Sequence, residues 1–322
     1  MYNQIEVILS QYEIEIKDVT KGRGAYICDT DKGRKMLVPF RGSKEKGMLL
    51  CRFLEELEEK GFVAERILLT GTNDAVAEDP ATGERFLLKS YVEGTEISTG
   101  KLEEMKEAVR ILAIFHKLSE QFPVDENLLK QKERTIETLH RHYKELIKVK
   151  NYIRNRNKKN EFEQIYMKHL EHNRKSAEAS FAMLEEASSG CIICHGDFNQ
   201  HNVLLCNGHY QMVHFENFVY NWAMVDLSNF VRKMLEKNDW NERVGRELME
   251  EYRKYRPISK IEYRQLCGLL LFPEKFWKVT NHYMNSRKTW ISERDIDKLK
   301  KVIEQEEKRL IFMENVFSFQ GE

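Results

Sequence analysis

Residues 191–215, CIICHGDFNQHNVLLCNGHYQMVHF, decide how the rest of the 322-residue chain is interpreted. An apolar run leads into His195-Gly196-Asp197, and a polar stretch continues to Asn202. Apolar residues return at once after Asn202, a turn is predicted at Asn207-Gly208, and a last strand is predicted through Phe215. The pattern predicts short strands on both sides of a polar loop, which we name the HGD loop (residues 195–202).

The spacing H-G-D-x-x-x-x-N is that of the catalytic loop in kinase-like phosphotransferases. Phosphoryl transfer needs a carboxylate that orients or deprotonates the attacking hydroxyl, and an amide oxygen close by that holds Mg²⁺. Asp197 and Asn202 can face the same phosphate because one short loop carries both. We therefore predict Asp197 as the base, Asn202 as a ligand of Mg²⁺ and of the nucleotide, and His195 as a residue that orders the loop. An ordinary hairpin with a polar tip is the alternative, and the flanking strands favour the first interpretation.

The first ninety residues indicate an antiparallel sheet that contains one helix. Segments 24–30 and 34–40 are predicted strands on either side of a tight turn. Apolar residues at helical spacing predict a helix over 47–61, and segments 66–72 and 84–94 are predicted strands.

The pattern becomes helical after Gly94 and stays so in most of the remaining chain. Only five prolines and 16 glycines interrupt it, which favours long helices over an all-β fold. We therefore predict an α+β fold with an N-terminal lobe over 1–93 and a mainly helical C-terminal lobe over 94–322. The catalytic-loop region falls at 191–230.

The composition excludes several classes of protein. Lys and Arg number 52 against 52 Asp and Glu, so the net charge of zero argues against a surface built for nucleic acid or anionic lipid. No segment approaches the roughly 18 apolar residues of a membrane span, and the N-terminus has no signal-peptide pattern. Six cysteines are too few for a disulfide scaffold. These features predict synthesis in the cytoplasm and no association with a membrane.

One segment departs from the overall charge balance. Residues 141–160 hold eight Lys and Arg and a single acid, Glu145. The segment could bind nucleic acid or another anionic partner. It could also be the solvated face of a helix, which such runs more often are, and which we favour.

Five stretches together resemble the aminoglycoside phosphotransferase and choline kinase group, and within it the CotS and YutH type proteins of bacterial spore coats. Residues 112–119 look like the helix that opens the C-terminal lobe. Residues 30–40 look like the second hairpin and third strand, and residues 86–94 look like the hinge strand that seats adenine. Residues 195–205 look like the catalytic loop, and residues 212–231 look like the metal-binding strand and the helix after it. The resemblance implies a protein-kinase-like fold with a site for ATP and Mg²⁺.

The resemblance also implies roles for single residues. Lys89 and Tyr91 lie in the hinge stretch and are predicted near the nucleotide. Asp226 matches a family aspartate that organises the loop by hydrogen bonds, so its predicted role is structural.

Two positions depart from the family pattern. Val38 stands where the family carries a lysine for the α- and β-phosphates, and His214 stands where it carries the aspartate that binds Mg²⁺. Imidazole is a poor substitute for the hard oxygen ligands of Mg²⁺. Glu216 would share a face of a strand with His214 and could supply the missing carboxylate. Alternatively, Glu216 is only an acid that often follows the family aspartate, which we favour.

The leading hypothesis is a spore coat protein with a degenerate kinase fold, a pseudokinase, that acts as a structural or interaction module with other coat proteins. The alternative is an active ATP-dependent phosphotransferase for a small molecule, with a shifted metal site. A third class, a binder of nucleic acid or another anionic polymer, rests only on residues 141–160.

Overall fold

The structure is a computed structural model that describes residues 2–22, 24–124, 135–185, 187, 190–285 and 293–317. The chain divides into two compact units, each assembled from separate stretches of sequence. The first unit contains residues 1–98, 111–131 and 195–219, and the second contains residues 99–110, 132–194 and 220–322. The HGD loop therefore belongs to the same unit as the N-terminal strands.

The first unit is built on an antiparallel sheet. Its strands are β1 (Ile16–Lys21), β2 (Tyr26–Thr30), β3 (Gly33–Pro39), β4 (Ile67–Leu68), β5 (Ala77–Glu78) and β6 (Arg85–Ser90). Their order is β1-β2-β3-β6-β4, and β5 pairs with the first residues of β6. The predicted hairpin is confirmed, because Thr30 pairs with Gly33 across a two-residue turn. The strand predicted at 66–72 is shorter, with two residues in the ladder.

One face of this sheet is covered by a helix that the sequence did not predict, α1 (Tyr2–Leu9). Ile5 and Ile8 of α1 pack with Leu37 and Leu88 of the sheet in a single apolar core. The helix has only eight residues, no acid in its first turn and no base in its last turn. Isolated helices of this length are marginal in water, so packing on the sheet stabilises it.

The opposite face of the sheet carries the residues that bear on function. Met36 of β3 pairs with Lys89 of β6, and Val38 pairs with Leu87. Directly opposite residues share a face, and so do residues two apart in one strand. Val38 and Lys89 therefore lie on the same face, away from α1.

The predicted helix of the N-terminal segment is confirmed as α2 (Lys44–Glu59). It begins three residues earlier than predicted because the Ser43 side chain caps it by accepting a hydrogen bond from the backbone N–H of Lys46. Its buried Phe53 packs edge to face on Phe115, with ring centroids 5.8 Å apart.

The HGD loop leads into a second, smaller sheet of the first unit. Its strands are β7 (Thr95–Glu96), β9 (Val203–Cys206) and β10 (His209–Met212), whereas β8 (Ile192–Cys194), which precedes the loop, belongs to the second unit. The order in the small sheet is β10-β9-β7. The last strand was predicted to extend through Phe215, which is wrong, because β10 ends at Met212.

The second unit is mainly helical, as predicted. Helix α3 (Leu102–Ser119) has residues in both units, and the second unit adds α4 (Thr135–Arg154), α5 (Glu161–Glu185), β11 (Val219–Asn221), α6 (Ala223–Lys237), α7 (Glu242–Tyr255), α8 (Lys260–Leu271), α9 (Glu274–Asn285) and α10 (Glu293–Phe317). A sheet with helices segregated from it confirms the predicted α+β class.

The basic segment 141–160 lies mostly on α4, which is amphipathic. Its buried stripe consists of Leu139, His142, Leu146, Val149 and Ile153. Arg141, Lys148 and Arg154 are exposed. The positive charge of this segment is thus carried by the side of the helix that the core does not use.

Candidate functional site

The HGD loop is ordered by amide side chains that bond to its own backbone. Asn199 donates from Nδ2 to the carbonyl of Asp197 at 2.8 Å and to its carboxylate at 3.1 Å. Asn202 donates from Nδ2 to the same carbonyl at 2.8 Å. The structure therefore brings together Asp197 and Asn202, the two residues predicted as base and metal ligand.

His195 is buried beneath this loop and bonds with both ring nitrogens. Its Nε2 lies 2.9 Å from the carbonyl oxygen of Val213, and its Nδ1 lies 3.3 Å from the backbone N–H of Asp197. A carbonyl only accepts and a backbone N–H only donates, so the proton belongs on Nε2 and the ring is neutral. This arrangement suits the predicted role of His195 as a residue that orders the loop.

Gly196 lies where the HGD loop comes into close contact with the segment after β10. Its φ is +80°, and a Cβ added there would lie 2.1 Å from the carbonyl oxygen of Asn217. Glycine alone accommodates both the positive φ and this close approach. Movement of the loop and of residue 217 is therefore sterically coupled.

The segment that carries the predicted metal ligands is a turn, which we name the HFEN turn (residues 214–217). His214 is in the left-handed region with φ 70° and ψ 50°, and Phe215–Asn217 form a single 3-10 turn. The strand geometry invoked for Glu216 is thus wrong. Even so, the turn brings His214 Nδ1 within 3.3 Å of Glu216 Oε1.

Glu65 bonds to the backbone at the start of the HFEN turn. Its carboxylate accepts the backbone N–H of His214 at 3.0 Å and that of Phe215 at 2.9 Å. These two N–H groups are thereby satisfied by a side chain, although Glu65 is only 3% exposed. The sequence analysis missed Glu65, because it lies in a segment without a recognisable motif.

Lys89 is the centre of the charges at this turn. Its Nζ lies 3.0 Å from Glu65 Oε1, 2.6 Å from Glu216 Oε2 and 3.3 Å from His214 Nδ1. Lys89 is 1% exposed. Its ammonium therefore lies between two carboxylates, those of Glu65 and Glu216.

The charge states of this cluster follow from its geometry. Burial alone would raise the pKa of Glu216, but the hydrogen bond from His214 and the charge of Lys89 outweigh it and hold the pKa well below its usual range. Burial alone would lower the pKa of Lys89, and the charges of Glu65 and Glu216 raise it instead. Lys89 is therefore an ammonium and Glu216 a carboxylate at neutral pH.

Two other predicted site residues lie outside this cluster. Tyr91 donates its backbone N–H to the carbonyl of Arg34 at 3.3 Å, and the Arg34 guanidinium lies 5.5 Å from the centre of its ring. Asp226 is buried in the first turn of α6, in the second unit. The hinge role of Tyr91 and the structural role of Asp226 stay predictions.

The model of one known protein family matches nearly the whole chain. The family model described as "Spore coat putative kinase YutH" matches residues 5–316. The chain belongs to this spore coat family. The resemblance noted in the sequence is thereby confirmed over nearly the whole chain.

Solved structures similar to this spore coat family member are phosphotransferases. An aminoglycoside phosphotransferase from Alicyclobacillus acidocaldarius has 19% identity and a TM-score of 0.83, over 97% of this chain and 95% of its own. Amicoumacin kinase in complex with AMP-PNP and Ca²⁺ has 14% identity and a TM-score of 0.66, over 95% and 92%. A choline kinase from Streptococcus pneumoniae has 14% identity and a TM-score of 0.54, over 95% and 98%.

These matches confirm the predicted kinase-like fold. At such identities they show the fold alone. No curated protein sequence matches the chain at a significant level. Within the described residues, no helix combines the length and the apolar character that a bilayer crossing requires.

The residues of the HFEN turn do not fit a magnesium ion as they stand. Mg²⁺ requires near-octahedral oxygen ligands at about 2.0–2.1 Å. A Mg²⁺ ion bound to Glu216 would lie within a few ångströms of the Lys89 ammonium, whose Nζ is 2.6 Å from the same carboxylate. Two cations at that separation in a buried site repel strongly. The imidazole of His214 supplies no negatively charged oxygen for the metal ion. The apolar side chain of Val38 supplies no positive charge for the phosphates.

Proposed function

We propose that this chain is a spore coat protein in which a kinase-like fold serves as a non-catalytic module for assembly with other coat proteins. The observation that carries the proposal is the ion pair between Lys89 and Glu216 beside His214. Because of this ion pair, the one carboxylate of the HFEN turn, that of Glu216, is already bound to a lysine of the protein itself. Membership of the spore coat family supports a location in the coat.

Energetic considerations support the loss of phosphoryl transfer. Catalysis of this reaction rests almost entirely on positioning and on electrostatic stabilisation of the transferred group. The loss of one donor from a site that stabilises an oxyanion lowers kcat by about 10²–10³. Two charged groups of the family pattern are replaced here, by Val38 and His214, so transfer should be slower by at least that factor.

An active phosphotransferase is the second candidate, and one observation favours it. The HGD loop keeps Asp197 and Asn202 in contact, with Asn202 Nδ2 2.8 Å from the Asp197 carbonyl oxygen. This proximity of a carboxylate-bearing residue and an amide supports transfer to a hydroxyl as the second candidate. In the unmodified protein, ATP and Mg²⁺ would bind only if Lys89 released Glu216.

A thermal-shift titration with ATP, with and without Mg²⁺, separates the two candidates. A ligand at about 100 times its dissociation constant adds about 2.7 kcal/mol of stability. For the non-catalytic module we expect no shift of the unfolding midpoint with either addition. A clear shift with ATP and Mg²⁺, together with release of ADP, would select the phosphotransferase.

Variants designed to gain nucleotide binding provide a second test of the same proposal. Val38→Lys restores a cation on the face of the sheet that carries Lys89, and His214→Asp restores a carboxylate at a left-handed position that Asp tolerates. We expect the double variant to bind ATP·Mg more tightly than the single variants add up to, as coupled sites do. Val38→Met with His214→Asn is the uncharged control. Tight ATP·Mg binding by the unmodified protein that is lost in Glu216→Gln would contradict the proposal.

A further inference from the structure

Two carboxylates at the HFEN turn require a positive charge beside them. Glu65 and Glu216 both approach the turn, and both are largely buried, with 3% and 14% of the side chain exposed. Burying two carboxylates side by side without a cation is costly, because desolvation opposes the charged form. In phosphoryl-transfer sites of other proteins, such carboxylates hold metal ions, which also neutralise charge on the phosphate.

Here the cation is part of the chain. The Lys89 ammonium is 3.0 Å from Glu65 and 2.6 Å from Glu216, in the position that a cation shared by the two acids would take. Through Glu65 it also acts on the backbone, since that carboxylate accepts the N–H groups of His214 and Phe215. One ammonium thus contacts both acids that hold the turn.

We propose that Lys89 is a resident counter-ion that takes the charge-balancing place of a divalent metal, so that the HFEN turn keeps its conformation without metal. The proposal deepens the proposed function, because it explains how a kinase-like fold stays ordered after losing its metal ligand. Lys89 is a positioning residue in this view. It holds the turn through Glu65 and Glu216.

The sequence context agrees with this role. Lys89 is the one charged residue among the four consecutive buried residues of β6, and the others are Phe86, Leu87 and Leu88. A lysine at a fully buried position of an apolar strand is rarely found without a paired acid. Its raised pKa agrees with that pairing.

Metal dependence is the readout that an ordinary structural lysine would not change. In Lys89→Ala the two carboxylates lose their cation and volume is opened for an ion. Ca²⁺ is the suitable probe because it accepts irregular oxygen geometry at 2.3–2.6 Å. We expect the variant to melt several degrees below the unmodified protein in metal-free buffer, and to regain roughly 2–4 °C in millimolar CaCl₂ over NaCl of equal ionic strength. The unmodified protein should show no gain.

Two controls isolate the effect of charge. Leu87→Ala deletes a buried side chain two residues away in the same strand, and we expect lower stability without a gain from CaCl₂. Lys89→Ala with Glu216→Gln removes the excess negative charge, and the gain from CaCl₂ should disappear. A gain in Lys89→Ala no larger than in Leu87→Ala, or a gain in the unmodified protein, overturns the proposal.

A milder variant covers the case in which Lys89→Ala does not fold. Lys89→Gln keeps a hydrogen-bond donor for one carboxylate and removes the charge. Its unfolding midpoint must rise in CaCl₂ if the proposal is correct, and an unchanged midpoint overturns it. No nucleotide is present in any of these measurements. Turnover of ATP by the unmodified protein would overturn the proposed function separately.

Discussion

The HGD loop and the HFEN turn follow one another on either side of a hairpin, yet different interactions hold them. The loop is held by neutral groups, with His195, Asn199 and Asn202 bonded to backbone carbonyl and N–H groups. The turn is held by charges, with one ammonium between two carboxylates. The loop can therefore keep its shape without a ligand, whereas the shape of the turn depends on a cation.

This difference explains which parts of the kinase pattern this chain retains. A loop ordered by its own amides can keep Asp197 and Asn202 whether or not they act on phosphate. A turn that carries buried carboxylates needs a cation beside them, either a metal ion or a side chain of the protein. The chain has His214 where the metal ligand is expected, and it has a buried lysine beside it.

The largest loss of stability is expected at Glu65, and it tests whether the HFEN turn depends on charge. Glu65→Ala leaves the Lys89 ammonium with one carboxylate and removes the acceptor for two backbone N–H groups. Breaking a buried ion pair costs about 3–5 kcal/mol, so we expect a loss of this size in the free energy of unfolding. Urea denaturation followed by circular dichroism measures it.

The matched control is Glu58→Ala. Glu58 pairs with Arg66 at the surface, where ion pairs contribute little to stability because solvent screens them. Equal losses in the two variants would mean that the HFEN turn is no more dependent on charge than the protein surface.

A second large effect is expected where the loop meets the turn. In Gly196→Ala the new Cβ would lie 2.1 Å from the Asn217 carbonyl oxygen at a φ of +80°. Gly208→Ala has a similar φ of +84° but no atom within 4 Å of the Cβ. We expect about 1–2 kcal/mol of destabilisation for Gly208→Ala from backbone strain alone, and clearly more for Gly196→Ala. Similar losses measured by urea denaturation would show that the loop and the turn are not sterically coupled.

The sequence predicted the loop more successfully than the turn, for a physical reason. The order of the HGD loop depends on residues close in the chain, so the spacing of Asp197 and Asn202 sufficed. The order of the HFEN turn depends on Glu65 and Lys89, which are separated from His214 by 149 and 125 residues. Pairing over such distances leaves no periodic signal.

The same contrast applies to the fold. Helix α2 was predicted because its apolar spacing is a local signal, whereas α1 depends on contacts with the sheet. Lys89 did carry a usable signal, since a lysine within the apolar run FLLK calls for a buried acid nearby. That signal indicates a partner without identifying it.

A smaller effect is expected at Asp197. Asp197→Asn keeps a side-chain oxygen that can accept the bond from Asn199, so we expect less than about 1.5 kcal/mol of change in unfolding free energy. If the protein is non-catalytic, incorporation into the coat should also be unchanged. A coat defect at normal protein abundance would instead indicate that the loop performs catalysis.

The smallest effect is expected on the basic helix α4, far from both segments in sequence. Lys148 and Arg154 are exposed, and exposed charges contribute about 0–1 kcal/mol each. Lys148→Gln with Arg154→Gln should therefore leave the urea midpoint nearly unchanged.

Arg156→Gln is the informative contrast, because Arg156 bonds at 2.8 Å to Glu163, whose side chain is fully buried. Removing that partner should cost more than the two exposed changes together. Loss of coat incorporation in the Lys148 and Arg154 variant, with folding unchanged, would make this helix face a surface for an anionic partner.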